Sequence, residues 1–290
     1  MPQEAVLALK ASEGGLFVDG TLGLGGHTEA ILKASPEARV IALEWNQASL
    51  ELARRRLASY GDRVVFELRN FARVDEVLEE LGVREVKGMI LDLGLSSFLI
   101  EGSGRGFSFL KEEPLDMRMD EGLKITAKDL VNRLSEAELA KLIFRLGEER
   151  FARRIAKAIV RARQRHPVEN TKDLAEIISR AVPSWYRHRR RHPATKTFQA
   201  LRLAVNRELD NLNRFLEKAP DFLTSGGRLV IISFHSLEDR LVKHHFRRDP
   251  RLKVINKKPL RPSSEEVARN PRARSAKMRV AERVREVDHG

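Results

Sequence analysis

Cysteine is absent from the 290 residues. That absence excludes a disulfide framework, a cysteine-ligated zinc and a thiol nucleophile together. Aromatic side chains are scarce, with two tryptophans and two tyrosines, so where each falls matters. No apolar run approaches the roughly 18 residues that cross a bilayer, and Met1 to Lys10 lacks the basic start and apolar stretch of a secretory signal. A cytoplasmic protein without membrane contact is expected. The eight histidines show no HExxH-like spacing, so no metal is expected either. What the chain does have is 42% hydrophobic content, enough to build a real core and to exclude disorder as the dominant state.

Basic residues outnumber acidic ones by 54 to 41, a formal charge of +13. The excess is not spread evenly. Residues 1–149 hold 19 basic and 26 acidic side chains, whereas residues 150–207 hold 16 and 3. The last segment, 247–290, is again basic, with 14 against 6. Arg187, Arg189, Arg190 and Arg191 stand beside Trp185 and Tyr186, which joins phosphate-binding charge to stacking surface. This pattern favours a nucleic acid over a lipid surface.

The first hundred residues alternate short buried runs with helical periodicity. Leu16 to Asp19, Arg39 to Leu43, Val64 to Leu68 and Val86 to Leu91 read as strands, with helices over 28–34, 47–59 and 74–81 between them. Such βαβ spacing predicts a parallel, doubly wound α/β sheet. After Ser97 a glycine-rich loop (Gly102, Gly104, Gly106) leads into about a hundred residues of helical pattern. A long helix is expected over 197–219, and the strand pattern then returns at Arg228 to Phe234. Edge strands are expected at Leu252 to Ile255 and Met278 to Arg283, with a loop between them. Residues 104–196 are thus read as a basic, all-helical domain inserted into a discontinuous α/β domain of residues 1–103 and 197–290.

The residues that carry chemistry fall at predicted strand ends. Asp19, Gly23, Gly25, Gly26 and His27 form a glycine-rich turn after the first strand, with Thr28 where a dinucleotide fingerprint has its third glycine. The carboxylate of Asp19 suits a cationic cofactor such as S-adenosylmethionine better than a nicotinamide. Glu44 ends the second strand at a spacing that suits acceptance of ribose hydroxyls, or it caps the next helix. Phe71 follows the third strand and either packs against an adenine or belongs to the core. Asp92 ends the fourth, where it either holds the cofactor's amino group or accepts a proton from an exocyclic amine. The Asp/Asn-Pro-Pro-aromatic signature of many amino-methyltransferases is absent. His235 lies at the end of the fifth strand as a candidate base, while Ser236 and Asp239 read as a capping box.

Nine segments, in order, resemble one known family: VDGTLGLGGHT, DLGLSS, GRGFSF, PLDMRMD, DLVN, GEER, HPATKTFQALRLAVN, SFHSLEDR and NPRARSAKMRVAER. They are similar to the bacterial 16S ribosomal RNA cytosine-N4 methyltransferases, the MraW or RsmH family, over almost the whole chain. The resemblance implies a Rossmann-like class I methyltransferase sheet with an inserted helical substrate-recognition domain. It implies methyl transfer from S-adenosylmethionine to N4 of one cytidine in the decoding region, with 16S rRNA in the small ribosomal subunit as partner. By motif position it implies cofactor contacts at Gly25, Gly26, His27, Glu44, Phe71 and Asp92. Three departures stand out. The family's His-x-Pro-Val-Leu opening is missing or different, Phe98-Leu99 replaces a common Pro-Gln, and Glu44 replaces a common Asp. The alternatives are a methyltransferase of another nucleic acid such as DNA, a non-catalytic ribosome-assembly factor, and a nicotinamide oxidoreductase. The basic insert and the missing third glycine speak against the last.

Overall fold

The computed structural model describes residues 1–189 and 191–284. The chain divides into two compact units, one of residues Met1–Gly94 with Leu209–Gly290 and one of Leu95–Glu208.

The first unit opens with α1 (Pro2–Leu9), β1 (Gly15–Asp19), α2 (Gly26–Ala34), β2 (Ala38–Glu44), α3 (Gln47–Arg56), β3 (Val64–Leu68), α4 (Val74–Glu80) and β4 (Val86–Asp92). The second unit is helical: α5 (Ser97–Glu101), α6 (Ala127–Arg133), α7 (Glu136–Gly147), α8 (Ala152–Arg163), α9 (Thr171–Ala181), α10 (Ser184–Arg187) and α11 (Thr195–Val205). The chain then returns with α12 (Glu208–Lys218), β5 (Leu223–Ser233), α13 (Ser236–Arg248), β6 (Leu252–Val254), α14 (Ser264–Arg269) and β7 (Lys277–Arg283).

The seven strands lie in the order β3-β2-β1-β4-β5-β7-β6. β1 to β5 are parallel, and β7 enters antiparallel between β5 and β6. This is the parallel, doubly wound α/β sheet that the strand–helix rhythm predicts, with two antiparallel strand pairings added at one edge. Its strands are apolar on both faces because both are covered. Successive residues alternate between two cores: Phe17, Val40, Ile90 and Val230 face α1, α2 and α3, whereas Val18, Ile41, Met89 and Leu229 face α4, α12 and α13. Each fully buried Leu, Ile or Phe on these faces contributes about 1.5–3 kcal/mol. Strand order reverses between β1 and β4, so the carboxyl ends of those two strands flank the switch point at which such sheets bind ligands.

In the helical unit, reciprocal capping boxes start α6 (Thr126 with Asp129) and α7 (Ser135 with Glu138), and Asn170 caps α9. Residues of two family-like segments prove to be joints. Arg118 donates from Nε to Asp116 Oδ1 at 2.7 Å and from its terminal nitrogens to Asp116 Oδ2 and Leu123 O, knitting the PLDMRMD loop. Buried Asn206 accepts from Met119 N at 2.8 Å and donates to Met117 O at 2.7 Å.

Three sequence expectations need correction. The helix expected over 197–219 is two helices, because Arg207 adopts a left-handed φ of 49° and Asn206 spends its side chain on the PLDMRMD loop. An amphipathic pattern passes through such a break unchanged, since both halves bury one face. The helical unit is correspondingly wider than residues 104–196, taking in 95–103 and 197–208, with α11 packed on α7. The segment between the edge strands contains α14 and a 3₁₀ turn over Pro271–Ser275; Ser263 Oγ accepts from Glu266 N at the start of α14, a cap hidden in a Pro- and Ser-rich stretch. Arg190 lies outside the described residues. Among the described residues, no helix is long and apolar enough to cross a membrane.

Candidate active site

The carboxyl ends of β1, β2 and β4 bring three carboxylates together. Asp19 is fully buried. Its Oδ1 accepts from Thr21 N at 3.1 Å and its Oδ2 from Thr28 Oγ1 at 2.8 Å. The missing third glycine therefore has a cause: the position supplies the hydroxyl that satisfies a buried carboxylate. Thr21 Oγ1 in turn accepts from Asp92 N at 2.6 Å, tying the end of β4 to the turn after β1. Thr21 is not conspicuous in the sequence, and only the strand order makes it a neighbour of Asp92.

His27, on the first turn of α2, places Nε2 3.2 Å from Asp92 Oδ2. Burial works to lower the pKa of this imidazole, but the hydrogen bond to Asp92 and the charges of Asp92 and Asp19 carry it above its usual 6.5. Burial pushes the Asp19 carboxyl up from 3.8, against the opposing pull of His27, Thr28 and Thr21. In this cluster two buried polar atoms have no hydrogen-bond partner among the described residues: His27 Nδ1 and Asp92 Oδ1. A buried acceptor without a donor costs about 1–3 kcal/mol, so this edge is built to take a group from outside.

Glu44 ends β2 with 7% of its surface exposed. Its Oε2 accepts from Gly23 N and its Oε1 from Asn46 N, each at 2.9 Å. Burial lifts its pKa from 4.5 to about 7, against the lowering effect of the backbone bonds from Asn46, Gly23 and Trp45. Glu44 does not cap α3; Asn46 does, accepting from Ser49 N at 2.9 Å. Gly25 holds a left-handed φ of 84° at the N-cap of α2, where a Cβ would lie 2.9 Å from Leu57 Cδ1. Gly26 differs: a Cβ there would meet nothing within 4 Å, leaving open space over the first turn of the helix. Phe71 is 7% exposed and packs in the core, edge-on to Phe215 at 5.9 Å. Half-buried Trp45, which sequence reasoning passed over, stands 6.3 Å from Phe71 between ring centres.

His235 has a structural task. It is the N-cap of α13, its Nδ1 accepting from Glu238 N while Glu238 Oε2 accepts from the backbone of Phe234 and His235. The expected Ser236–Asp239 capping box is therefore one residue late. Asp239 instead accepts from Arg279 Nε at 2.7 Å and from Lys277 Nζ at 3.1 Å on β7. Helix phase alone does not separate the two choices, since either pair has the required spacing. Among the described residues, no group of three or more potential ligands could hold a metal ion.

The model of the MraW methylase family matches residues 1–284. The chain belongs to that family. A curated relative from Desulfotalea psychrophila, named ribosomal RNA small subunit methyltransferase H, is 48% identical over 283 residues, covering 97% of this chain and 96% of the relative. Proteins of the same name from Synechococcus elongatus and Thermotoga neapolitana are 50% and 47% identical, over 98% and 99% of this chain and 93% and 95% of theirs. A solved rRNA methylase from Streptococcus thermophilus aligns at a TM-score of 0.46 and 12% identity over 98% of this chain and 95% of its own.

The cofactor of this methylase is S-adenosylmethionine, and the donor set fits it. The molecule carries a sulfonium, an ammonium and a ribose diol. Three clustered carboxylates suit the cations, and open space over Gly26 leaves room beside the helix.

Proposed function

We propose that the methylase transfers the methyl of S-adenosylmethionine to the exocyclic N4 of one cytidine in the decoding region of 16S ribosomal RNA, acting on the small subunit in the cytoplasm. The observation that carries this reading is end-to-end similarity to proteins named ribosomal RNA small subunit methyltransferase H, at 48% identity over 97% of this chain. Bound at the strand ends, the cofactor supplies an electrophilic methyl. Glu44 accepts the ribose hydroxyls, and Asp19, Asp92 and His27 set the electrostatics of the amino-acid end. Gly23, Gly25 and Gly26 let the backbone approach, and Phe71 supports the wall beside Trp45.

The cytosine amine is a weak nucleophile because its lone pair is delocalised into the ring. Asp92 Oδ1, accepting one N–H, raises electron density on N4 and holds it in line with the methyl. The proton that N4 gives up on methylation would pass to Asp92, whose other oxygen is held by His27; bound S-adenosylmethionine would supply the methyl and keep the electrons of the broken C–S bond on the departing sulfur. The target base must be unstacked to present its amine. The basic helical unit supports the role of substrate recognition. His235 caps α13 through Nδ1, and its Nε2 is the second candidate base.

The test combines labelled S-adenosylmethionine with purified methylase and small subunits from cells lacking the modification, followed by nucleoside analysis. Label in N4-methylcytidine is expected. Label in another nucleoside, or in DNA supplied in parallel, would overturn the assignment, and cofactor binding without any turnover would favour an assembly factor.

A further inference from the structure

The helical unit holds a rigid, half-exposed indole. Trp185 is 51% exposed yet anchored edge-on by Phe151 at 5.9 Å and by Tyr186 at 5.7 Å. Tyr186 is itself buried, and its hydroxyl donates to Glu149 Oε2 at 2.7 Å. Glu149 is fully buried and accepts from Phe151 N through its other oxygen. A buried polar joint thus fixes the base of an exposed ring. The aromatic pair seen in the sequence is not two stacking surfaces: Tyr186 is the foundation and Trp185 the platform.

Two guanidinium groups stand over that ring, Arg189 at 4.9 Å and Arg150 at 5.4 Å from its centre. Among the described residues neither arginine has a carboxylate partner, and the surrounding segment, 150–207, carries 16 basic against 3 acidic side chains. A ligand that satisfies this site needs a planar face and an anion close together. An acidic peptide would engage the arginines and leave the indole bare. A duplex hides its base faces. A nucleotide in a single strand offers both, and base–aromatic stacking with adjoining arginines is how unpaired strands are held.

We propose that Trp185, Arg150 and Arg189 form a stacking platform for one unpaired nucleotide of single-stranded RNA, with its phosphates on the two guanidinium groups. This inference rests on the RNA reading above and adds a binding residue that takes no part in the chemistry. Pre-anchoring the indole lowers the ordering cost of capture.

The full-length protein is titrated with an oligouridylate of about 10 nucleotides, an RNA duplex of equal length, and polyglutamate. A Trp45→Phe background leaves Trp185 as the sole tryptophan reporter. Oligouridylate is expected to quench it. Trp185→Ala should weaken oligouridylate binding by about 10-fold or more, while duplex binding, S-adenosylmethionine affinity and melting temperature hold. Trp185→Phe should retain most of the affinity. Arg150→Gln with Arg189→Gln should flatten the salt dependence of log affinity by about 1.4. Unchanged oligouridylate binding in Trp185→Ala overturns the platform, as does equal loss of single-strand and duplex binding, or quenching by polyglutamate alone. An active wild-type enzyme with Trp185-insensitive binding refutes only the platform, whereas absence of N4-methylcytidine refutes only the proposed reaction.

Discussion

Replacing Glu44 by Gln tests whether this carboxylate, proposed to meet the cofactor's ribose, is held against its own desolvation. Glu44 is 7% exposed, and burial raises its pKa from 4.5 to about 7. A carboxyl whose folded pKa exceeds its unfolded value binds more protons in the fold. Its contribution is therefore fully present below pH 4.5 and lost as pH rises through 7. Linkage gives about 2–3 kcal/mol lost between pH 5 and pH 8 in the cofactor-free protein. Glu44→Gln cannot titrate, so urea unfolding at the two pH values should show the wild type losing about 2–3 kcal/mol more than the variant. Cofactor affinity should run the opposite way. Only the ionised carboxylate accepts both ribose hydroxyls, so wild-type affinity should rise about 30-fold from pH 5.5 to 8, while the variant binds weakly and without that rise. Stability curves for wild type and variant that stay parallel within about 0.5 kcal/mol would refute the burial argument, and a flat wild-type binding profile would refute the ribose contact.

Other substitutions probe the remaining joints. Asp92→Asn keeps the backbone bond to Thr21 and should fold normally, yet kcat should fall by at least about 100-fold; full activity would remove Asp92 from proton transfer. Thr28→Val strips the buried Asp19 of its hydroxyl donor and should cost about 1–3 kcal/mol in denaturant unfolding, with Thr28→Ser restoring it. Asp239→Ala leaves Arg279, 8% exposed, without its partner and should cost about 3–5 kcal/mol. The arginine and lysine bonds outweigh burial and hold the Asp239 carboxyl below 3.8, so in the wild type its contribution is present above pH 3.8 and fades as pH falls below it. Charge reversal at Arg189 and Arg191 should weaken RNA binding and spare cofactor affinity, which filter binding and calorimetry measure separately; equal loss of both would defeat the division of labour between the units.

Several features were legible in the one-dimensional pattern because they depend on local rules. Continuous apolar runs at RVIAL and RLVIISF mark strands covered on both faces, and Asp19, Glu44 and Asp92 declare themselves as carboxylates ending such runs. Those cues survive without coordinates because pleat periodicity and strand-end position belong to the chain itself. Tertiary structure decided the rest. The pairing of Asp92 with His27 and of Thr21 with Asp92 N spans 65 and 71 residues, and only the β1–β4 adjacency creates it. Whether Phe71 is wall or core depends on Phe215 coming from a distant helix. The break at Arg207 is invisible to amphipathic phase because each half buries its own face independently. Local chemistry thus named the candidate carboxylates, and long-range pairing assigned their partners, since a hydrogen bond between residues far apart in sequence exists only once the sheet has brought their strands together.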